Sequence, residues 1–319
     1  MLKPLKLNDG DTIGVIAPSH PVQRFQTMYD QGIRNLKAFG FRVKEGKTVK
    51  LSRWDYMAGT GLQRAEDIND MFADKEVKAI ICAMGGQVAI QTLRYLDYAS
   101  IKRNPKIFCG MSDITTFHTA FLAKTGLSCL HQTDIIFGFG ADMKSSEALY
   151  ETGLFFKITK NTCPLGPLPK FTKWEVWREG KTQARLFGGN IPSLQTLLAT
   201  SYFPEIDEPI VFFWECTAKP LDKIDQDLTQ LRETGLFEKT KGMLIGKIRG
   251  EEPNSPSKIR DITSEVKKVI SDVAKEYDFP IIANMDFGHY TPNVPLPVGL
   301  RVGLDTTGTK VWINESYVK

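Results

Sequence analysis

Ser112, Glu215 and His289 are the residues of this chain whose types and settings could do chemistry together, and each follows a short apolar run. Ser112 sits in Gly110-Met111-Ser112-Asp113, after Lys106-Ile107-Phe108-Cys109 and before the amphipathic stretch Ile114 to Lys124. A serine on a tight turn between a strand and a helix has its hydroxyl lifted clear of the sheet. The helix N-terminus then aims free backbone N–H groups at a developing oxyanion. Glu215 ends the run Ile210 to Trp214, where an acid is out of keeping with its neighbours. His289 follows Asp286-Phe287-Gly288, just past the run Pro280 to Ala283. A serine hydroxyl is a poor nucleophile without an adjacent base, usually a histidine oriented by a carboxylate. Serine, acid, histidine is one of the chain orders that builds such a triad.

Each residue also has a plainer reading. Gly-x-Ser-x-Gly would need glycine where Ile114 stands, so Ser112 alone reads as a helix N-cap. Glu215 could pair with Lys219, His289 could be an ordinary loop residue, and Gly85-Gly86 could be only a tight turn. His118 shares a helical stripe with Ile114, Phe117, Phe121 and Leu122, which favours core packing. His131 is the rival base, but it follows the strand-like Gly126-Leu127-Ser128-Cys129-Leu130.

The elements that must position these groups alternate in type. Thr12 to Ala17 reads as a buried strand stopped by Pro18, and Phe25 to Phe39 has helical spacing. Leu62 to Phe72 reads as a helix with Leu62, Ala65, Ile68 and Phe72 on one face and charge from Arg64 onward on the other. Val77 to Ala83 reads as a strand, Met84-Gly85-Gly86 as a loop, and Val88 to Tyr95 as a helix. Short apolar runs alternating with helices predict a parallel sheet covered on both faces, with ligands at the carboxyl ends of its strands. Gly85-Gly86 and Ser112 both fall at such ends.

The stretch from about 140 to 181, with Cys163-Pro164-Leu165-Gly166-Pro167-Leu168-Pro169, reads as a boundary. The expected organisation is an α/β domain over 1–145, a linker over 146–182 and a second domain over 183–319. In the second, Gln183 to Phe187 is strand-like, Gly188-Gly189-Asn190 reads as a turn with Asn190 as a cap, and Ile191 to Leu198 as a helix. Strands are expected at Pro209–Trp214, Lys241–Ile248, Pro280–Ala283, 301–304 and 310–314. Helices are expected around Ile224, Leu228 and Leu231, ending at Gly235, and along Ile262 to Val273.

Composition narrows the function classes. A chain of 319 residues is long enough for two domains and a sizeable core. A net charge of +4 is too small and dispersed to argue for nucleic acid or a membrane surface. The longest apolar runs are strand-sized, and the first residues lack the apolar core of a signal peptide, so a cytoplasmic protein is expected. Five cysteines without a Cys-x-x-Cys pair and four scattered histidines argue against a structural metal site.

Taken in order, the motifs resemble the LD-carboxypeptidase family of serine peptidases, which includes the microcin C immunity hydrolases. The matching pieces are Gly10 to Ser19, Arg64 to Asn69, Gly85-Gly86, Gly110 to Thr115, Gly188-Gly189-Asn190, Phe213-Trp214-Glu215, Ile224 to Leu231, Phe287-Gly288-His289 and Pro297-Val298-Gly299. The resemblance implies an N-terminal flavodoxin-like α/β domain and a C-terminal swivelling β/α domain, with the active site in the cleft between them. It maps the nucleophile onto Ser112, the acid onto Glu215, the base onto His289, and the oxyanion hole onto backbone N–H groups of Gly86 and Asp113, with Gly85 against the substrate. It implies a cytoplasmic homodimer that needs no metal or organic cofactor and acts on a small peptide or peptidyl-nucleotide. The implied reaction is cleavage of the L-D bond before the terminal D-alanine of a murein tetrapeptide, in peptidoglycan recycling. A microcin C immunity-type hydrolase of aminoacyl-nucleotide analogues is the rival. A non-catalytic small-molecule binding protein is the rival of another class. A nucleotide-binding dehydrogenase is disfavoured, because no Gly-x-Gly-x-x-Gly follows the first strand. The chain departs from the family at Met84 and Val88, where an arginine and a glycine are common, at Cys216, and at His131-Gln132-Thr133. These differences bear on substrate recognition more than on chemistry.

Overall fold

A computed structural model describes residues 1–252 and 255–319 of the chain. In the first half, strands β1 (Thr12–Ile16), β2 (Arg42–Glu45), β3 (Val77–Cys82), β4 (Ile107–Gly110) and β5 (Leu130–His131) alternate with helices α1 (Gln26–Ala38), α2 (Gly61–Ala73), α3 (Tyr98–Arg103) and α4 (Thr115–Thr125). There follow α5 (Ser146–Lys160), β6 (Gly166–Pro167), β7 (Glu175–Arg178), β8 (Lys181–Asn190), α6 (Ile191–Gln195), β9 (Ile210–Glu215), α7 (Leu221–Glu233), α8 (Leu236–Lys239) and β10 (Thr240–Gly246). The chain ends with β11 (Arg249–Glu252), β12 (Ser255–Asp261), α9 (Thr263–Val273), β13 (Ile281–Met285), β14 (Leu296–Pro297), β15 (Arg301–Asp305) and β16 (Lys310–Ile313).

The first sheet runs β14-β5-β4-β3-β1-β2, and its five N-terminal strands are parallel. The strand order 2-1-3-4-5 is that of a flavodoxin-like sheet, which reverses direction of build between β1 and β3. Its inner strands are continuous apolar runs because helices cover both faces: all residues of β1 and β4 are buried. The second sheet runs β6-β16-β15-β8-β9-β10-β13-β7; β8, β9, β10 and β13 are parallel and the outer strands antiparallel. A single apolar cluster joins the two sheets, with Ile81 and Leu130 from the first half and Leu186, Phe213, Met285 and Leu296 from the second. Strand β14 adds the seam itself, since Leu296 pairs with His131 at the edge of the first sheet.

Local differences from the sequence expectation have physical causes. On α2, Leu62 is exposed, whereas Arg64 and Asp67 on the supposedly charged face are buried. Both are satisfied by neighbouring segments: Arg64 donates to the Thr60, Pro18 and Val88 carbonyls and to Gln91 Oε1, and Asp67 accepts from the N–H groups of Lys47 and Thr48 and the Thr48 hydroxyl. The stretch after Val88 is a 3-10 helix, Ala89–Tyr95. Between 146 and 182 the chain is not a bare connection. Helix α5 buries Leu154, Phe155 and Ile158 in the core, and β7 pairs with β13. Gly188 and Gly189 are not a turn but the end of β8, at φ +148° and +145°. A side chain on Gly188 would overlap the Phe213 carbonyl of the neighbouring strand, and one on Gly189 would press within 2.5 Å of Thr115.

Candidate functional site

The nucleophile candidate emerges from the end of β4. Gly110 closes the strand, and Ser112 opens a 3-10 turn, Ser112–Ile114, that runs into α4. Ser112 has φ +59°, a left-handed conformation that costs a non-glycine residue about 1–3 kcal/mol. That strain is the mark of a nucleophile elbow: the backbone reverses so sharply that the hydroxyl stands out of the sheet. The loop after β3 packs directly against it. A Cβ on Gly85 would come within 3.0 Å of Ser112 Oγ and 3.1 Å of the Asp113 nitrogen, so only glycine lets this backbone approach. Gly86 follows at φ +156°.

Glu215 is the last residue of β9 and is fully buried. Its register partner on β8 is Asn190, whose Nδ2 donates to Glu215 Oε1 at 2.9 Å. The other carboxylate oxygen meets His289 Nδ1 at 2.6 Å. The Lys219 pairing is not made; Lys219 pairs with Asp227 instead. Asn190 does more than cap α6 through Ser193. Its own N–H donates to Thr115 Oγ1 at 3.0 Å, tying the acid to the helix that carries Ser112.

His289 sits on the loop after β13, and that loop is held at both ends. Asp286, fully buried, accepts from the N–H of Phe171, the N–H and hydroxyl of Thr172, and the Trp174 indole. Gly288, at φ +108°, donates to Asn293 Oδ1 at 2.8 Å and lies over Glu215; a Cβ there would be 3.3 Å from Oε2. The loop therefore seats the imidazole on the carboxylate.

Burial works against a charged His289, yet the Glu215 charge and hydrogen bond, with Asp134 adding a little, raise its pKa above the ordinary value. Burial alone would push Glu215 up; the facing imidazole outweighs it and holds the carboxyl below its usual range. The pair is thus an anion that stabilises an imidazolium in a low-dielectric setting.

Ser112, Gly85, Gly86 and His289 line one cavity of about 310 Å³, together with Met84, Met111, Phe137, Asp134, Glu151, Thr291 and Asn293. Three of the sequence-predicted groups, nucleophile, base and glycine loop, share this cavity, and the acid lies directly behind the base. His131 and His118 do not belong to it. Both are buried, with no partner for any ring nitrogen among the described residues, and burial pushes His131 down to about 4. Asp134 and Glu151 were not singled out from sequence. Burial raises each carboxyl to about 7, although Asp134 accepts from the Phe137 N–H and Glu151 from the Asn293 N–H. Nothing local in the sequence marks them: Asp134 reaches the cavity from the turn after β5, and Glu151 from α5, which packs against the His289 loop through Asn293.

Residues 13–132 match the LD-carboxypeptidase N-terminal domain, and residues 183–304 match the LD-carboxypeptidase C-terminal domain. A probable murein peptide carboxypeptidase of Bacillus subtilis is 30% identical over 309 residues, covering 95% of this chain and 92% of the relative. The microcin C7 self-immunity protein MccF of Escherichia coli is 26% identical over 337 residues, covering 97% of this chain and 94% of its own. A solved structure of MccF with aspartyl sulfamoyl adenosine superposes with a TM-score of 0.88 at 23% identity, over the full length of both chains, a likeness of fold. No helix among the described residues is long and apolar enough to cross a membrane.

Proposed function

Since the chain belongs to the LD-carboxypeptidase family, we propose that it is a serine peptidase in which Ser112, Glu215 and His289 hydrolyse an L-D amide bond. The favoured substrate is a murein tetrapeptide losing its terminal D-alanine, in line with the name of the Bacillus subtilis relative. The observation that carries the reading is the strained Ser112 facing, across one cavity, an imidazole held at 2.6 Å by a fully buried carboxylate.

In this mechanism neutral His289 takes the Ser112 proton as the hydroxyl attacks the carbonyl carbon. Glu215 accepts from Nδ1–H, which leaves Nε2 as the nitrogen that receives the proton, and stabilises the imidazolium. The tetrahedral oxyanion is bound by the N–H groups of Gly86 and Asp113, and the close approach of Gly85 to the Asp113 nitrogen supports that pairing. His289 then protonates the leaving D-alanine amine. Water, deprotonated by the same ring, attacks the ester carbonyl and releases the acyl group, restoring Ser112.

The second reading, cleavage of aminoacyl- or peptidyl-nucleotide analogues, is favoured by the full-length similarity to MccF. Assaying a murein tetrapeptide beside aspartyl sulfamoyl adenosine separates the two. Release of D-alanine abolished by Ser112→Ala supports the first; turnover of the adenylate alone displaces it. Binding of either without turnover returns the cleft to a binding protein. By family likeness the working form is a homodimer in the cytoplasm; light scattering of the purified chain tests the dimer, and cell fractionation the location.

A further inference from the structure

Asp113 is cast above only for its backbone N–H, yet its side chain is buried and engaged in a way that role does not require. Its Oδ2 accepts the Ser19 hydroxyl at 2.6 Å and the Ala89 N–H at 2.9 Å, while Oδ1 accepts from Thr116 at 3.3 Å. Ser19, fully buried after β1, in turn accepts the Val88 N–H at 3.2 Å. Its neighbour His20 donates its N–H to the Gly85 carbonyl at 3.1 Å. From behind, Arg64 donates to the Val88 carbonyl at 3.2 Å and the Pro18 carbonyl at 3.4 Å. Residues 85–89 are therefore held at Gly85 O, Val88 N, Val88 O and Ala89 N. Gly86 is pressed so closely on Ser19 that any Cβ would overlap the Ser19 hydroxyl.

These bonds join the two separate walls of the oxyanion hole. One donor, Asp113 N–H, is on the elbow after β4; the other, Gly86 N–H, is on the loop after β3. A glycine pair is flexible, and its N–H direction is free unless something outside the loop sets it. We propose that the Asp113 carboxylate, acting through Ser19 and Ala89, is a positioning residue that locks the Gly85–Ala89 loop to the nucleophile elbow so that the two N–H groups converge on one oxyanion. The inference rests on the oxyanion-hole assignment made above. Arg64 is the other half of the lock through its carbonyl bonds: it is wholly buried with no carboxylate in ion-pair contact among the described residues, and burial lowers its pKa to about 10, with the Asp113 charge opposing only part of that.

The test uses the full chain with Ser112→Ala, Asp113→Ala, Asp113→Asn and Ser19→Ala. Each is assayed for kcat and KM on the substrate that the wild-type chain turns over. Inhibition constants are measured for a peptide boronic acid, which forms a tetrahedral adduct with serine, and for the cleavage product. Asp113→Ala should lower kcat by about 100-fold, the size of losing one oxyanion donor, with KM within threefold. Boronate affinity should fall in parallel while product affinity holds, because only the tetrahedral species uses the hole. Asp113→Asn should recover to within about fivefold, since its Oδ1 can accept from Ser19 and Ala89 while Nδ2 donates to Thr116. Ser19→Ala, which cuts one of the two links, should cost about tenfold.

A wild-type kcat and boronate affinity in Asp113→Ala would overturn the proposal. So would a parallel loss of boronate and product affinity, which marks a merely structural role, or an Asp113→Asn as impaired as the alanine variant, which marks a need for charge. If Asp113→Ala does not fold, Ser19→Ala and Asp113→Asn carry the decision by the same readouts. An active Ser112→Ala would fell the hydrolase reading itself, whereas an inactive one beside a normal Asp113→Ala fells only the lock.

Discussion

Replacing Glu215 with glutamine tests the site where its geometry is tightest. The two carboxylate oxygens have fixed and different partners: Oε1 receives Asn190 Nδ2–H at 2.9 Å, and Oε2 faces His289 Nδ1 at 2.6 Å. Asn190 cannot turn its amide freely, because its Oδ1 accepts from the Ser193 hydroxyl at 2.9 Å. Glutamine must therefore give its oxygen to Asn190 and its NH₂ to His289. That NH₂ can only donate, so Nδ1 becomes an acceptor and the ring proton moves to Nε2, the nitrogen that has to take the Ser112 proton. Wrong-tautomer enzymes of this mechanistic type lose about 10⁴ in kcat, or about 5 kcal/mol of transition-state stabilisation at 1.36 kcal/mol per tenfold. The shape of the site is kept, so KM and the thermal midpoint should change little. The pH profile supplies a second readout. In the wild type His289 must be neutral to act, and Glu215 raises its pKa, so kcat/KM should climb through an apparent pKa above 6.5. In Glu215→Gln the residual activity should lose that limb or carry it at lower pH. A variant keeping more than a tenth of wild-type kcat, with the limb unmoved, would refute the reasoning.

Other outcomes follow from single positions. Ser112→Gly should abolish turnover while stabilising the fold by about 1 kcal/mol, because glycine adopts φ +59° without strain; chemical denaturation measures it. Glu151→Gln should stabilise the protein in a pH-dependent way. Folding raises this carboxyl from 4.5 to about 7, so the folded state holds a proton the unfolded chain has released, and stability falls as pH rises between those values. The substitution should gain about 3 kcal/mol at pH 8 and almost nothing at pH 4.5, read from denaturation at both. His131→Leu should keep kcat within about threefold, since an unpartnered buried imidazole contributes no base. It should also lessen acid sensitivity: the folded pKa of about 4 lies below the ordinary 6.5, so the wild type loses stability as pH falls through that window.

Much of this site could be read from sequence, for reasons tied to particular elements. Strands β1, β4 and β9 are buried on both faces, so they appear as uninterrupted apolar runs, β3 being broken only at Lys78, and a polar residue at their ends stands out. Ser112 and Glu215 were found in that way. What could not be read is whatever depends on packing between distant segments. Gly188-Gly189 looks like a turn because paired glycines usually are one; here they spare a collision with Phe213 and Thr115. Arg64 looks like surface charge because its partners are three backbone carbonyls and the Gln91 amide oxygen, none of which has a sequence signature. Asp134 and Glu151 are invisible because the cavity they line is made by five separated stretches, around residues 84–86, 111–112, 134–138, 151 and 288–293.

The partners of Glu215 explain how the site keeps a usable base. A histidine as buried as His289 would lose its proton affinity, and His131 shows the result when no anion touches the ring: a pKa near 4, too low to take a proton from a serine hydroxyl. Glu215 reverses that outcome for His289, but a buried carboxylate is itself costly and would tend to take up a proton. Its second oxygen is therefore committed to Asn190, whose backbone N–H is in turn fixed to Thr115 on the nucleophile helix. The ionised state of the acid thus depends on the correct docking of the two halves of the chain. Asn190→Ala should accordingly lower kcat by weakening the anion while leaving Ser112 and His289 untouched. Its kcat/KM limb should move to lower pH, toward the value of an unassisted imidazole. An Asn190→Ala enzyme with an unshifted limb would mean that His289 alone keeps Glu215 ionised, and the link between domain docking and base strength would not hold.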